Sequence, residues 1–301
     1  MKRLTLTYLH WEVTIDAVVF DEEQYKELRN SKGYQITHVG TLARQDGALF
    51  SAADCEPVLE CLAYFLSFCR GAWTSPMLLS AEDENAAVVG ETWRATRIDG
   101  FAGTYSWVPK SQPVSVELAS AFTGYARLWH SPAWSEALRI ITQWYVESST
   151  GAVEKSVILL QTALELLTWV KLVQEERVMT QKQWNDRSAP FCAKLRRLLQ
   201  AMTIPLTIPT AFSDLEAYRC ASTVPDGPEA FTSIRNALVH PSLAKRERLN
   251  NSPGALSQAW LLAGWYLDLC MLNILGYKGR YSNRTIRQGW AGDEVEVVPW
   301  P

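Results

Sequence analysis

The sequence holds 301 residues, enough for two packed domains and short of three. With 48% hydrophobic and 20% charged residues it has the composition of an ordered globular chain, which argues against disorder outside the ends. A formal net charge of -3 excludes a protein that coats nucleic acid by bulk charge, because that takes surplus Lys and Arg, and leaves room only for a local basic patch.

At the N-terminus, LTLTYLHWEVTI (residues 4–15) alternates apolar and polar residues at period two and predicts a half-buried strand. Its polar residues interrupt the apolar stretch that a signal peptide needs, so the cytoplasm is the expected address. A second extended region is expected over 35–50. Residues 56–68 then place Val58, Leu59, Leu62, Phe65 and Leu66 at helical spacing, before Gly71 and Pro76 break the pattern. Strand-like composition returns over 77–108, where VVGETWRATRI and TYSWV flank the turn-forming pair Asp99-Gly100. The first 112 residues therefore read as a mixed α/β or β-rich domain. Within it Trp93, Arg94, Arg97, Tyr105 and Trp107 fit either a recognition surface or core positions on strands, and Glu82, Asp83 and Glu84 fit a solvated turn.

From about residue 113 apolar residues recur every three or four positions, which predicts helices over 116–129, 133–147, 153–174, 181–201, 210–221, 228–239 and 255–275. The fold class expected is α+β, with an all-α domain over 113–281 and a tail over 282–301 beyond the bundle. Residues 153–173 are apolar around most of the helix circumference, so this should be the central helix, with Leu160, Leu164 and Leu167 inward. Residues 255–277 alone raise a membrane question, but Ser257, Gln258, Asp268 and Asn273 favour a buried bundle helix, and no membrane association is expected.

Cys55, Cys61, Cys69, Cys192, Cys220 and Cys270 form no C-x-x-C pair and share no metal-ligand spacing with His10, His38, His130 or His240. They read as small buried hydrophobes in a reducing compartment, and neither a metal nor another cofactor is expected.

The segment FTSIRNALVHP carries the candidate chemistry. The helix that holds it must stop near His240, because the residue before Pro241 is driven out of the α region. Arg235 lies about 140° around and roughly 7.5 Å along from His240 on an ideal helix, so Arg235, Asn236 and His240 can border one solvent-facing edge. Metal-free RNA cleavage needs a group that takes the 2′-hydroxyl proton, a role for a histidine titrating near neutrality, and donors that hold the phosphorane, a role for arginine. Asn236 can orient the ribose, the phosphate or His240. The same three residues also fit a histidine at the negative end of the helix dipole beside a surface arginine. Between Arg235 and Trp290, Arg235, Lys245, Arg246, Arg248, Lys278, Arg280, Arg284 and Arg287 face only Glu247 and Asp268, a local excess of positive charge.

Arg-Asn-x-x-x-His late in a helical bundle resembles the Arg-x(4–6)-His signature of the HEPN superfamily. KSVILLQTALELL (residues 155–167) and LAGWYLDLCMLNILGYKGRY (262–281) are similar to HEPN domains of the ApeA-like abortive-infection type, over roughly residues 132–281. The resemblance implies a homodimer whose two motifs line one cleft, and metal-independent RNA cleavage in which Arg235, Asn236 and His240 are catalytic. Lys245, Arg246, Arg248, Arg280 and Arg284 would supply RNA contacts. It also implies an effector of a phage-defence or toxin system, with a trigger or regulatory partner engaging the N-terminal domain. Some HEPN toxins have a tyrosine two residues after the histidine, where this chain has Ser242, so modification there is not expected. The competing expectation is a HEPN-fold module that binds RNA, nucleotide or protein without cutting.

Overall fold

A computed structural model describes residues 3–93, 95–111, 114–286, 290 and 292–301. Arg94 and Arg287, two of the basic residues singled out above, lie outside the described residues. The architecture is α+β, with N-terminal strands followed by a helical region.

β1 (Leu4–Tyr8), β2 (Trp11–Ala17) and β3 (His38–Arg44) form an antiparallel sheet in that order, with Leu4 opposite Ile15 and Trp11 opposite Arg44. Period-two burial turns Leu4, Leu6, Tyr8, Trp11 and Val13 inward. Between β2 and β3 runs α1 (Glu22–Ser31), closed by a capping box in which Asp21 and Gln24 satisfy each other's backbone N–H. Its only buried residue is Leu28, which explains why no apolar periodicity announced it.

α2 (Ala52–Arg70) follows, then the short antiparallel pair β4 (Leu79–Glu82) and β5 (Val88–Thr92). The expected strand TYSWV does not form. Instead Thr104 Oγ1 donates to the Arg70 carbonyl at 2.6 Å and Ser106 Oγ donates to that of Cys69, so the segment satisfies the last turn of α2 rather than a sheet.

The helical region comprises α3 (Ser115–Trp129), α4 (Ser135–Glu147), α5 (Val153–Trp169), α6 (Gln181–Trp184), α7 (Phe191–Ala201), α8 (Ser213–Ser222), α9 (Gly227–Val239), α10 (Leu243–Asn250) and α11 (Ala255–Ile274). The single helix expected over 181–201 is two, because Pro190 stands at the N-cap of α7 and excludes helix before it. α10 buries no residue and is capped by Ser242, so it too was invisible to periodicity.

α5 is central: it packs against α4, α7, α9 and α11, and Leu160, Leu164 and Leu167 are fully buried. It continues as a π-helical turn, Val170–Glu175. The combined stretch Val153–Glu175, rather than α11, is long and apolar enough to cross a membrane, and here it is a core helix. Fully burying each such leucine contributes roughly 1.5–3 kcal/mol.

Sheet and bundle share one continuous core, since α3 packs on β1 and α2 on α4. Gly124 is where α3 meets the end of α11: a Cβ there would strike the Leu275 carbonyl, and Arg127 reaches past it to donate to the Ile274 carbonyl at 2.9 Å.

The described residues of the expected tail, 282–286, 290 and 292–301, include several that pack against the bundle. β6 (Arg280–Ser282) and β7 (Val295–Val297) pair antiparallel, and Asn283, Arg284, Thr285 and Val298 are buried. Trp265 Nε1 of α11 donates to the Tyr281 hydroxyl at 3.1 Å, which in turn donates to Glu296 at 2.9 Å.

Candidate active site

α9 is fixed at its start, before the candidate residues are reached. Asp226 caps it by accepting from the Glu229 N–H, and Pro228 occupies the first turn where a missing N–H costs nothing. Arg196 of α7 clamps this end through Asp226 and Glu229, with contacts from 2.5 to 3.1 Å. Ala230, Phe231, Ile234 and Ala237 are buried, which sets the helix rotation and leaves residues 235, 236, 239 and 240 toward the boundary with solvent.

The helix ends at Val239, as Pro241 requires, and His240 leaves the α region at φ -125°, ψ 70° while its N–H still donates to the Asn236 carbonyl at 3.0 Å. Lys245 Nζ donates to the His240 carbonyl at 3.0 Å, and Ser242 Oγ accepts from the Lys245 N–H at 3.4 Å, so the turn into α10 is held from both sides. His240 is exposed; among the described residues no hydrogen bond engages its imidazole.

Arg235 is half-buried and donates through Nη1 to Asn236 Oδ1 at 3.3 Å, while its Nε is enclosed without a partner. That bond orients the Asn236 amide and leaves its two N–H donors for another acceptor. Ser233, unmarked in the sequence reading, is three residues before Asn236 and seven before His240, on the same helix stripe, and its Oγ lies 3.2 Å from the Tyr218 hydroxyl of α8. The i, i+3, i+7 spacing was the signal that could have found it.

Of the five residues assigned to RNA contact, Arg246 and Arg248 are exposed on α10, directly after the motif, and Lys245 joins them with part of its donor capacity spent on the turn. Arg284 is a correction. Its side chain is 3% exposed and donates to Asp268 at 2.7 and 2.9 Å and to the Tyr145 hydroxyl at 2.9 Å, so no phosphate can reach it. Desolvation pushes the Asp268 carboxyl above its ordinary value, opposed by the adjacent guanidinium. Arg280 is held by Glu117 of α3 at 2.7 Å, beside the C-terminal hairpin rather than on α10. Arg235, Asn236, His240, Lys245, Arg246 and Arg248 are thus the assigned residues that one helix end and its turn bring together.

Tyr105 and Trp107, placed with Arg97 in one cluster by sequence, separate: Trp107 is buried against Phe68 and Tyr277, whereas Tyr105 packs edge-on to Trp260. Glu82 ends β4, and Asp83 and Glu84 lead into the turn to β5, in which Asp83 accepts from the Asn85 and Ala87 N–H groups.

Residues 1–104 match the YopA central domain, and residues 131–296 match the YopA C-terminal domain. The chain is 33% identical over 301 residues to a protein of Bacillus subtilis (strain 168) described as the SPbeta prophage-derived uncharacterized protein YopA. That alignment takes in 99% of this chain and 66% of the relative, so the chain spans just under two thirds of the relative's length. No solved structure matches the chain. With one domain match covering more than half of its residues and a second covering most of the remainder, the chain belongs to the YopA family.

Proposed function

We propose that the helical region is a HEPN-like, metal-independent endoribonuclease, acting in the cytoplasm as an effector of a phage-defence or toxin system. The observation that carries this reading is the end of α9, where an exposed His240 imidazole, the Asn236 amide and the Arg235 guanidinium share one helix terminus bordered by Lys245, Arg246 and Arg248.

In this reading His240 accepts the 2′-hydroxyl proton, and Asn236, oriented by Arg235, donates to the ribose or the scissile phosphate. Arg235 stabilises charge as it develops, and the α10 cations hold the flanking phosphates. A two-fold dimer would place two such helix ends around one phosphate. The prophage origin stated for the relative supports a role in conflict between phage and host.

The half-burial of Arg235 and its bond to Asn236 favour a second reading, a HEPN-fold module that binds RNA, nucleotide or protein without cleaving. The test is cleavage of total RNA by the purified chain beside His240→Ala, with and without chelator. Cleavage by wild type alone, indifferent to chelator, supports the nuclease; equal cleavage by both, or none, leaves the binding module.

A further inference from the structure

The sheet of β1, β2 and β3 ends on an open edge. At the two ends of the β2–β3 ladder the Val18 N–H donates to the Thr37 carbonyl and the Gln45 N–H to the His10 carbonyl, each at 2.9 Å. Between them the register runs without a shift from Trp11–Arg44 to Ala17–His38. Hydrogen-bonded pairs recur at every second residue of an antiparallel ladder, so Thr37, Val39, Thr41, Ala43 and Gln45 turn their peptide groups to β2. His38, Gly40, Leu42 and Arg44 turn theirs outward. The Arg44 carbonyl accepts from the Gly47 N–H at 3.0 Å, but among the described residues no hydrogen bond reaches the outward N–H and carbonyl of His38, Gly40 or Leu42. His38, Val39, Gly40, Thr41 and Ala43 are exposed.

A row of free peptide groups is a template for another strand, and folds blunt such edges with Lys, Pro, a bulge, or brevity. The other two sheets comply: β6 and β7 have 3 residues each, and β5 is shifted against β4 between Ala81 and Glu82. β3 is 7 residues long, HVGTLAR, with neither Lys nor Pro nor a shift. Its surroundings are apolar as well, with Tyr34 71%, Ile36 47% and Val39 57% exposed.

Two observations say what fits this edge. First, its carboxylate and guanidinium groups are paired within the chain: Arg44 with Asp46 at 2.6 Å, and Asp16, opposite Val39 on β2, with Arg3 at 2.8 Å. A charged strand meets no free opposite charge there, whereas two copies of a neutral edge approach without repulsion. Second, the free residues are centred on Gly40. A two-fold axis at Gly40 sets that residue against its own copy and His38 against Leu42 of the second copy, each pair exchanging both N–H···O bonds. All three are satisfied at once. Val39 then lies opposite Thr41 and Arg44 opposite Ile36 of the second copy, so no like charges meet.

We propose that β3 pairs antiparallel with β3 of a second copy of this chain, about a two-fold axis at Gly40, joining the two sheets into one. The contact lies wholly in the region that matches the YopA central domain, and it rests on no part of the nuclease reading.

The test is sedimentation equilibrium of the purified full chain, without RNA, over about 1–200 μM. A monomer–dimer equilibrium is expected with Kd of about 100 μM or tighter. Val39→Lys brings two ammonium groups together near the axis, and His38→Pro deletes an outward N–H at the first residue of the strand, where proline leaves the β2 ladder intact. Each should weaken association about tenfold or more and leave the melting temperature of dilute protein within roughly 2 °C. The register is read on a Cys220→Ser background, which removes the exposed native thiol. There Val39→Cys mixed with Thr41→Cys should form an intermolecular disulfide about tenfold faster than either variant alone. His240→Ala should associate as the wild type does, so this test and that of RNA cleavage fail separately. A monomer throughout that range, a dimer that Val39→Lys and His38→Pro both leave intact, or equal cross-linking in mixed and single variants overturns the proposal.

Discussion

Lys245 Nζ donates to the carbonyl of His240 at 3.0 Å, tying the first turn of α10 back to the last residue before Pro241. The backbone at His240 and the first turn of α10 are thereby tied together by one ammonium. On the proposed nuclease reading, Lys245→Met should release that turn and lower the rate of RNA cleavage by about tenfold, whereas Lys245→Arg, which can still reach the carbonyl, should retain most of it. Equal loss in both variants would show that the contact does not position the site.

On the same reading, His240→Ala should remove about a hundredfold to ten-thousandfold in cleavage rate while RNA affinity is largely kept, since proton transfer belongs to the transition state. Arg235→Ala should damage both affinity and rate. Single-turnover cleavage and filter binding measured on the same preparations separate the two patterns.

Arg246→Ala and Arg248→Ala should weaken RNA binding uniformly across sequences, each reducing the dependence of affinity on salt by about one counterion. Arg284→Met, enclosed as it is, should leave that salt dependence untouched. Binding isotherms at several salt concentrations decide this.

The buried pair makes a stability prediction of its own. Asp268→Asn leaves the Arg284 charge uncompensated in the core and should cost about 3–5 kcal/mol, while Asp268→Leu combined with Arg284→Met should cost less than that single change. Gly264 adjoins the same guanidinium: a Cβ there would strike Arg284 Nη1. Gly264→Ala should therefore destabilise by roughly 1–3 kcal/mol, against the ~1 kcal/mol by which alanine is the better helix former. Denaturant midpoints measure all three variants.

Glu117 carries a pH dependence whose sign is set by Arg280, which hydrogen-bonds its carboxylate and holds it below the ordinary glutamate value. Because the folded value lies below the unfolded one, the contribution is fully present above the unfolded value of about 4.3 and is lost as pH falls through the folded value. Glu117→Gln should thus lower stability at pH 7, by no more than about 1 kcal/mol for a partly exposed pair, and the difference should be smaller at pH 3. An unchanged gap at both pH values would falsify the assignment.

Helices with an apolar stripe were legible in the sequence: α3, α4, α9 and α11 start within two residues of the positions that periodicity indicates. α1 and α10 were not, because they stand on end caps and bury one residue and none. The motif on α9 was legible because Pro241 dictates where the helix stops. The fate of Arg284 was not, since a lone arginine in sequence looks the same whether it meets solvent or a carboxylate sixteen positions earlier.

The Asp268–Arg284 pair also makes the helical region depend on the segment that follows it. Without that segment the Asp268 carboxylate of α11 would stand in the bundle with no cation to meet it, and enclosing such a charge alone is unfavourable. Arg284, carried between β6 and β7, thus does for the bundle what an apolar side chain could not: it lets one face of α11 exclude water while keeping a carboxylate there.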